Sequence, residues 1–256
     1  MLKALMLAAG VGARLDEGPD HPPKVLLEFA GRTLLERHIK ILRHLGVDGM
    51  VMVTGYRADD IHQAIAGLGA GDYIETIHNP DFTLGSMISL WTARQALTSG
   101  DDIIFMDADV LYDHRLMRPL VETEHANCLL MDREVRPGED PIKICIRDGE
   151  IVDFHKRVTN AHDYWGEWPG FLRFSPAIGR RLVEVMGGYV DAGRTMKIYE
   201  EAFRDVLASE PPGTFAIADI TGLPWGEIDY QADLERAHQV VLGQLQEIGT
   251  PKEKTA

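Results

Sequence analysis

The feature that most constrains the fold is a set of three short, largely apolar runs in the first half of the chain. They occupy residues 2–7, 49–54 and 103–106, and segments with helical spacing of apolar residues lie between them. Strands that are apolar throughout need cover on both faces, and strands that alternate with helices usually build a parallel sheet. The sequence therefore predicts an α/β fold with a mixed, mainly parallel sheet that is flanked by helices.

The remaining elements follow from the same patterns. Thr33 is a candidate N-cap for the first helix, and Gly46 is expected to end it. The predicted helices are 34–45, 58–68, 86–97, 176–186, 197–208 and 231–248. The other predicted strands are 73–77, 128–131, 142–146, 151–154, 168–174 and 215–220, and residues 249–256 are predicted to form a flexible tail.

A glycine-containing turn follows the first apolar run and extends to Leu15. Lys24, which follows Pro23, comes nine residues after Leu15. Glycine lets backbone N–H groups approach a ligand closely, and Arg14 and Lys24 add fixed positive charge beside them. A dinucleotide fingerprint needs glycine at position 15, where Leu15 stands, and a P-loop needs Gly-Lys-Ser/Thr, whereas this lysine follows proline. The turn is therefore predicted to bind phosphates in a way that differs from both of these motifs.

Two pairs of acidic residues are the candidate metal ligands. Asp107 and Asp109 follow the third apolar run, and Glu227 and Asp229 repeat their spacing near the other end of the chain. Because the carboxyl ends of parallel strands meet at one edge of a sheet, the glycine turn, Gly55 and the first pair are expected to share one crevice. Carboxylate oxygens are the ligands that hard divalent ions prefer, which points to Mg²⁺.

Composition excludes several classes of function. The formal net charge of −14 argues against nucleic acid as a partner, because nucleic acid demands a basic face. The sequence contains no apolar run of membrane-spanning length and no secretory leader, so we expect a cytoplasmic protein without a membrane span. Cys128 and Cys145 both lie in apolar runs, which predicts two buried thiols rather than a disulfide.

The N-terminal turn carries the pattern Leu-Ala-Ala-Gly-x-Gly-x-Arg-Leu at residues 7–15, followed by Pro-Lys at 23–24. This pattern resembles the signature of the nucleotidyltransferase superfamily, with its MobA-like and sugar-phosphate nucleotidyltransferase fold. Ala13 stands where many members have Ser or Thr. Residues 225–237 likewise resemble the Trp-x-Glu-Ile-Asp segment of cytidylyltransferases, and residues 79–91 resemble their Asn-Pro…Ser-Leu-Trp stretch. The chain looks most similar to CTP-dependent phosphocholine, 2-aminoethylphosphonate and inositol-phosphate cytidylyltransferases.

The resemblance implies a Rossmann-like fold of the nucleotide-diphospho-sugar transferase type and a reaction that releases pyrophosphate from CTP or another NTP. The implied catalytic residues are Arg14, Lys24, Asp109 and Asp229. Mg²⁺ is expected on Asp109 and Asp229, with Asp107 and Glu227 as further candidate ligands. The implied nucleotide-binding residues are Leu7, Ala8, Ala9, Gly10, Gly12, Arg14, Lys24, Gly55, Asn79, Ser86 and Asp107.

The resemblance also implies an acceptor, which is a small phosphate or phosphonate ester. Its candidate contacts are Lys156, Glu167, Gly170 and Glu200. A group of nearby aromatic residues either holds a cationic amine of the acceptor through cation–π attraction or packs in the core. These aromatic residues are Tyr164, Trp165, Trp168 and Tyr199.

We expect a single domain over residues 1–248, with a nucleotide-binding core at 1–126, a small acceptor-binding elaboration at 127–224, and the metal motif with a closing helix at 225–248. A homodimer is a further candidate. Three alternatives remain: a sugar-1-phosphate nucleotidyltransferase that uses UTP or dTTP, a non-catalytic nucleotide-binding module, and a glycosyltransferase with an Asp-x-Asp motif. The glycosyltransferase would not need the Gly-x-Gly-x-Arg…Pro-Lys turn.

Overall fold

A computed structural model of the chain describes residues 1–15, 21–134 and 141–248. The predicted tail at 249–256 lies outside the described residues. The strands are β1 Leu2–Ala8, β2 Glu28–Phe29, β3 Arg32–Thr33, β4 Gly49–Thr54, β5 Ile74–His78, β6 Asp102–Asp107, β7 Val110–Tyr112, β8 Cys128–Met131, β9 Lys143–Arg147, β10 Glu150–His155, β11 Tyr164–Glu167, β12 Phe171–Phe174, β13 Ala216–Asp219 and β14 Trp225–Glu227. The helices are α1 Leu34–His44, α2 Ala58–Gly67, α3 Ser86–Thr92, α4 Arg94–Leu97, α5 His114–Glu122, α6 Pro176–Asp191, α7 Tyr199–Ser209, α8 Gln231–Arg236 and α9 Leu242–Gln244, with a π-helical segment at Ala237–Val241.

The main sheet of the described residues has seven strands in the order β13-β8-β12-β6-β1-β4-β5. Strands β6, β1, β4 and β5 run parallel, as do β8 and β13, whereas β12 is antiparallel to both of its neighbours. The prediction of a mixed, mainly parallel α/β sheet is confirmed. Strand order reverses at β1, because β4 lies on one side of it and β6 on the other, and ligands in open α/β sheets bind at such a point.

The side chains of β1 show why helices cover both faces of this sheet. Ala4, Met6 and Ala8 lie in one buried cluster with apolar residues of α1, α2 and α5. Leu5 and Ala9 lie in a second cluster with apolar residues of α3, α4, α6 and α7. Alternate residues of a strand point to opposite faces, so a strand covered on both sides must be apolar throughout.

A smaller antiparallel sheet with the order β10-β9-β11 lies within the segment 127–224, which also supplies β8, β12 and β13 to the main sheet. The strand predicted at 168–174 is shorter in the structure, where β12 begins at Phe171 and belongs to the main sheet. Strand β11 of the small sheet, which was not predicted, ends just before it at Glu167. Gly170 between them has a φ of 86°, which interrupts an extended strand.

Two helix predictions also need correction. The segment 86–97 divides into α3 and α4 at Ala93. The predicted closing helix at 231–248 ends at Gln244, because the backbone N–H of Gln246 donates instead to the Asp113 carboxylate at 2.7 Å. The first helix begins as predicted, and its cap is Thr33, whose side chain accepts from the N–H of Glu36. Among the described residues, no helix combines the length and apolar character that a membrane span requires.

Candidate functional site

Three carboxylates meet beyond the carboxyl end of β6. Asp109 directly precedes β7, and β7 pairs antiparallel with β14, so that Val110 lies opposite Glu227. The N–H of Ile228 then donates to the Asp109 carbonyl at 2.9 Å. This pairing brings one oxygen each of Asp109, Glu227 and Asp229 within 4.8 Å of one another, a group that could hold a metal ion.

Lys24 lies between two of these carboxylates. Its Nζ is 2.8 Å from Oδ2 of Asp109 and 2.7 Å from Oδ1 of Asp229, and its side chain is only 13% exposed. Burial alone would lower the pKa of Lys24, but the charges of Asp109 and Asp229 raise it. The ammonium is therefore a fixed positive charge at neutral pH.

Arg14 joins the same group from the N-terminal turn. Its Nη2 donates to Oδ1 of Asp229 at 2.8 Å, and its guanidinium lies 5.3 Å from the ring centroid of Tyr230. The Asp233 carboxylate accepts from the backbone N–H of Asp229 at 3.0 Å and of Tyr230 at 2.7 Å. Asp233 thus fixes the backbone that presents Asp229 to both cations.

The turn after β1 passes close to Lys24 and to the next strand. Gly12 has a φ of 71°, and a Cβ at this position would lie 3.2 Å from Cγ of Lys24. A Cβ on Gly55 would lie 2.9 Å from the carbonyl of Ala9, which accepts from the N–H of Tyr56 at 3.1 Å. Both glycines therefore allow close approach. Leu7 and Ala8 end β1 at the same edge of the sheet. Gly10 is exposed beyond them, and a Cβ at this position would meet no atom within 4 Å.

Asp107 is held apart from the three-carboxylate group by its own partners. Its Oδ2 accepts a 2.6 Å hydrogen bond from the hydroxyl of Tyr199. Its backbone N–H donates to the carbonyl of Gly170 at 3.2 Å, and a Cβ on Gly170 would lie 2.5 Å from Oδ2 of Asp107. Ser86 supports this arrangement, because its Oγ accepts from the backbone N–H of Tyr199 at 3.1 Å. Burial, together with the charges of Asp109 and Glu227, raises the pKa of Asp107.

Glu200 follows Tyr199 and lacks a hydrogen-bond partner for one oxygen. Its Oε2 is buried, and among the described residues no group donates to it. Burial raises the pKa of Glu200 to about 7, although the positive charge of Lys156 opposes the shift. The positive charge of Lys156 also opposes the rise in the pKa of Glu227. The two predicted acceptor contacts Lys156 and Glu200 therefore lie within electrostatic reach of each other and of the acidic group.

Two other predicted contacts take part in hydrogen bonds within the fold. Asn79 is buried, its Nδ2 donates to Oγ of Ser89 at 3.1 Å, and its Oδ1 accepts from the N–H of Asp81. Glu167 is also buried, and its backbone exchanges two hydrogen bonds with Asp132. Asn79 thus supports a loop, and Glu167 ties β11 to the main sheet. Their direct contacts with substrates stay predictions.

The aromatic residues divide between the core and partners on the surface. Trp168 and Tyr199 pack with Phe105 and with each other in the core. Tyr164 lies under the guanidinium of Arg133, and the ring of Trp165 lies 5.5 Å from Nζ of Lys143. The packing interpretation is therefore the one that the geometry favours for Trp168 and Tyr199.

The donor set fits a hard divalent ion. Three carboxylates within reach of one another repel, and the protein around the carboxyl of Glu227, together with the charges of Asp109 and Asp229, raises its pKa to about 8. A dication would relieve this repulsion and accept oxygen ligands from all three. The sequence singled out Asp109 and Asp229 with Glu227 as a further candidate, and the structure brings these three together.

Sequence reasoning missed one residue that supports the site from the core. His38 is fully buried on α1, with Nε2 at 3.1 Å from the carbonyl of Ala108 and Nδ1 at 3.4 Å from the hydroxyl of Tyr112. Burial lowers its pKa to about 4, so the ring is neutral and Nε2 donates to Ala108. The only signal in the sequence was a histidine at a core-facing position of a helix.

Comparison with known proteins places this geometry in a family. The sequence profile of the MobA-like NTP transferase domain matches residues 4–161. Among curated proteins, a CMP-5'-(3-aminopropyl)phosphonate synthase of Streptomyces rubellomurinus is 29% identical over 92% of this chain. A bifunctional IPC transferase and DIPP synthase of Rubrobacter xylanophilus is 32% identical over 94% of this chain. The chain spans 38% and 52% of the lengths of these two relatives.

Solved structures agree on the fold. A CTP:phosphocholine cytidylyltransferase from Streptococcus pneumoniae superimposes with a TM-score of 0.74 at 17% sequence identity. The alignment covers 93% of this chain and 98% of that protein. At this identity the likeness concerns the architecture, which therefore extends over nearly the whole length of both chains.

Proposed function

This chain belongs to the MobA-like NTP transferase family, and on that premise we propose that it transfers CMP from CTP to a small phosphate or phosphonate ester. The observation that supports this most directly is Lys24, which lies at hydrogen-bond distance from Asp109 and Asp229. A cation and metal-binding carboxylates at the switch point of the sheet form a site for a triphosphate.

The reaction that we propose needs positioning and charge neutralisation more than covalent help from protein. An oxygen of the acceptor phosphate attacks the α-phosphorus of CTP and forms a new P–O bond. The bond to the β-phosphate oxygen breaks, and pyrophosphate leaves with that electron pair. Arg14 and the N–H groups of the turn at 8–12 would hold the β- and γ-phosphates, and Lys24 would face the α-phosphate and the acceptor.

Asp109, Glu227 and Asp229 are the residues that would hold Mg²⁺, with Asp107 supported nearby by Tyr199. Bound there, the ion would act as a Lewis acid and neutralise negative charge on the nucleotide phosphates. Lys24 and Arg14 both donate to Oδ1 of Asp229. These two cations therefore offset the negative charge that Asp229 adds to the acidic group.

The names of the relatives support cytidine as the nucleotide and a phosphonate or phosphate ester as the acceptor. For the acceptor we propose contacts with Lys156 and Glu200, since the charge of Lys156 acts on Glu200 and on Glu227 and that of Asp229 acts on Glu200. The unpartnered Oε2 of Glu200 would accept from a donor on the acceptor, such as an amine or a hydroxyl.

The proposal has two further parts, the compartment and the assembly. A reducing, cytoplasmic compartment fits Cys128 and Cys145, which are both buried and free. A homodimer stays a prediction.

The test is pyrophosphate release by the purified chain over a grid of four nucleoside triphosphates and a set of phosphate and phosphonate esters, with Mg²⁺ present. We expect release with CTP and an ester of the choline, aminoalkylphosphonate or polyol type. Release only with UTP or dTTP and a sugar 1-phosphate would replace the proposal by a sugar nucleotidyltransferase. No release with any pair, from a protein that still binds CTP, would favour a nucleotide-binding module.

A further inference from the structure

A cavity lies between α1 and the segment that follows the π-helical turn. It has a volume of about 310 Å³, and its lining includes Arg32, Arg37, Lys40, Tyr112 and Glu247. None of the residues of the acidic group contributes to this lining, within the described ranges of the chain. The cavity is therefore a feature of its own, on the α1 side of the sheet.

The charge of this cavity is opposite to that of the protein as a whole. Three of its lining residues, Arg32, Arg37 and Lys40, carry a positive charge, and one, Glu247, carries a negative charge. The chain itself has a formal net charge of −14, so a basic cavity does not follow from composition. Arg32 has one acidic neighbour, Glu36, whose Oε1 lies 3.6 Å from its Nε on the exposed side. Among the lining residues, three positive charges stand against the one negative charge of Glu247.

Arg37 is the most constrained of the three cations. One of its terminal nitrogens donates to the carbonyl of Phe29, whereas its Nε is buried and has no acceptor among the described residues. Burial and the nearby charge of Arg32 lower the pKa of Arg37. The charges of Glu36 and Glu247 partly oppose this shift. Arg37 therefore adds a guanidinium charge to the cavity wall, held in place by its bond to the Phe29 carbonyl.

The neighbouring hairpin holds these groups in place. Strands β2 and β3 are joined by Ala30 and Gly31, both with positive φ, which is the geometry of a tight two-residue turn. The hairpin places the Phe29 carbonyl against Arg37 on α1 and Arg32 at the cavity wall. The cationic wall is therefore built on two paired elements rather than on a free loop.

We propose that this cavity is a second anion site, which binds a small ligand through a phosphate group with two negative charges. Two guanidinium groups and one ammonium match the several oxygens of such a group. The site does not depend on the proposed cytidylyl transfer. The wall residue Tyr112 contacts His38, which donates to the carbonyl between Asp107 and Asp109, so a ligand here lies against the support of the catalytic edge.

The test is an NMR titration of the ¹⁵N-labelled full chain with inorganic phosphate, with chloride added to keep ionic strength constant. We expect saturable shifts in two groups of amides: the turn at 8–15, and the cavity around Arg37, Lys40 and Tyr112. The double variant Arg32→Ala/Lys40→Ala should weaken the cavity response at least about tenfold and leave the response of the turn unchanged.

The matched control is Arg43→Ala, which removes a positive charge from the same helix at a residue that contacts Asp72 and the ring of Tyr73 instead. It should leave both responses within about twofold, because its charge lies outside the cavity. Shifts confined to the turn at 8–15, or a cavity response that Arg43→Ala weakens as much as the double variant, would overturn the proposal. Because the two groups of amides are read separately, this outcome is independent of whether the chain transfers CMP.

Discussion

The ammonium of Lys24 lies 2.7 Å from Oδ1 of Asp229, although 205 residues separate the two in the sequence. The contact joins Lys24, which lies beyond the turn after the first strand, to the acidic motif near the end of the described chain. It also means that a protein cation takes up oxygen ligands that a metal ion would use. A metal ion held by these carboxylates would compete with Lys24 for the same oxygens.

Replacing Asp229 with Asn should remove a metal ligand without changing the shape of the side chain. We expect Asp229→Asn to lower Mg²⁺-dependent pyrophosphate release by about 10²-fold or more and to weaken Mn²⁺ binding measured by electron paramagnetic resonance. The matched control is Asp59→Asn, because the side chain of Asp59 is 97% exposed. Unchanged Mn²⁺ affinity in Asp229→Asn would remove this residue from the metal site.

Replacing Lys24 with Ala separates its two roles. We expect turnover to fall by about 10²–10³-fold, because a fixed charge that faces the phosphates is lost. The melting temperature without metal should also fall, since Asp109 and Asp229 lose their counterion, and added Mg²⁺ should raise it more than it does in the wild type. Lys3→Ala is the control, because Lys3 pairs with Asp101 away from the site. A smaller Mg²⁺ shift than in the wild type would contradict competition between Lys24 and the metal.

Gly170 tests whether the position of Asp107 matters. An added Cβ would lie 2.5 Å from Oδ2 of Asp107, so Gly170→Ala should displace this carboxylate and lower activity. Gly149 has a similar positive φ of 82° but open space around its Cα, so Gly149→Ala carries the backbone strain alone. Gly149→Ala should lose about 1 kcal/mol in urea unfolding and Gly170→Ala should lose more, and only Gly170→Ala should lose turnover. Equal activity of the two variants would make the placement of Asp107 unimportant.

We expect His38 to lower the free energy of unfolding in acid, because the folded protein disfavours its protonated form. Its pKa is lowered from 6.5 to about 4 by burial, so the unfolded chain takes up its proton at a higher pH than the folded protein does. Stability therefore rises with pH across this window, and the contribution of His38 is lost as pH falls from 6.5 to about 4, by at most about 3 kcal/mol. The comparison is urea unfolding of the wild type and His38→Gln at several pH values.

Glu200 and Glu227 change the free energy of unfolding with pH in the opposite direction. Their pKa values are raised to about 7 and about 8, so the stability that they contribute is lost as pH rises through these values. Both carboxyls are present in the wild type and in His38→Gln, so the difference between the two proteins isolates the histidine. His62→Gln, at an exposed histidine, should follow the wild-type curve. Parallel curves for the wild type and His38→Gln would mean that His38 is not held neutral by the fold.

The sequence predicted the sheet well because its signals are local. Runs such as 49–54 and 128–131 are apolar, short and bounded by turn residues, and the structure has strands with those bounds. The order of β6, β1 and β4 places three strand ends side by side, as the expected shared crevice requires. Family membership was also predicted, from two motifs at opposite ends of the chain, and the profile match at residues 4–161 confirms it.

The remaining features depend on contacts between distant segments. The pairing of Val110 with Glu227 brings the acidic motifs together, and periodicity within either segment contains no information about it. The hydroxyl of Tyr199 reaches Asp107 across the interface between α7 and the sheet, and the end of the closing helix depends on the bond from Gln246 to Asp113. The hydrogen bonds of the Asn79 side chain to Ser89 and to the backbone of Asp81 are likewise not visible in the sequence, which offered this residue as a nucleotide contact.

The central claim is that this chain joins CMP to a phosphate or phosphonate ester. Phosphorus-31 NMR of one mixture of enzyme, Mg²⁺, CTP and the matching acceptor from the grid tests it directly. We expect the acceptor signal to be replaced by the coupled signals of a new P–O–P linkage, in step with pyrophosphate and only when both substrates are present. Hydrolysis of CTP without that linkage, or equal product formation by Asp229→Asn, would contradict the account.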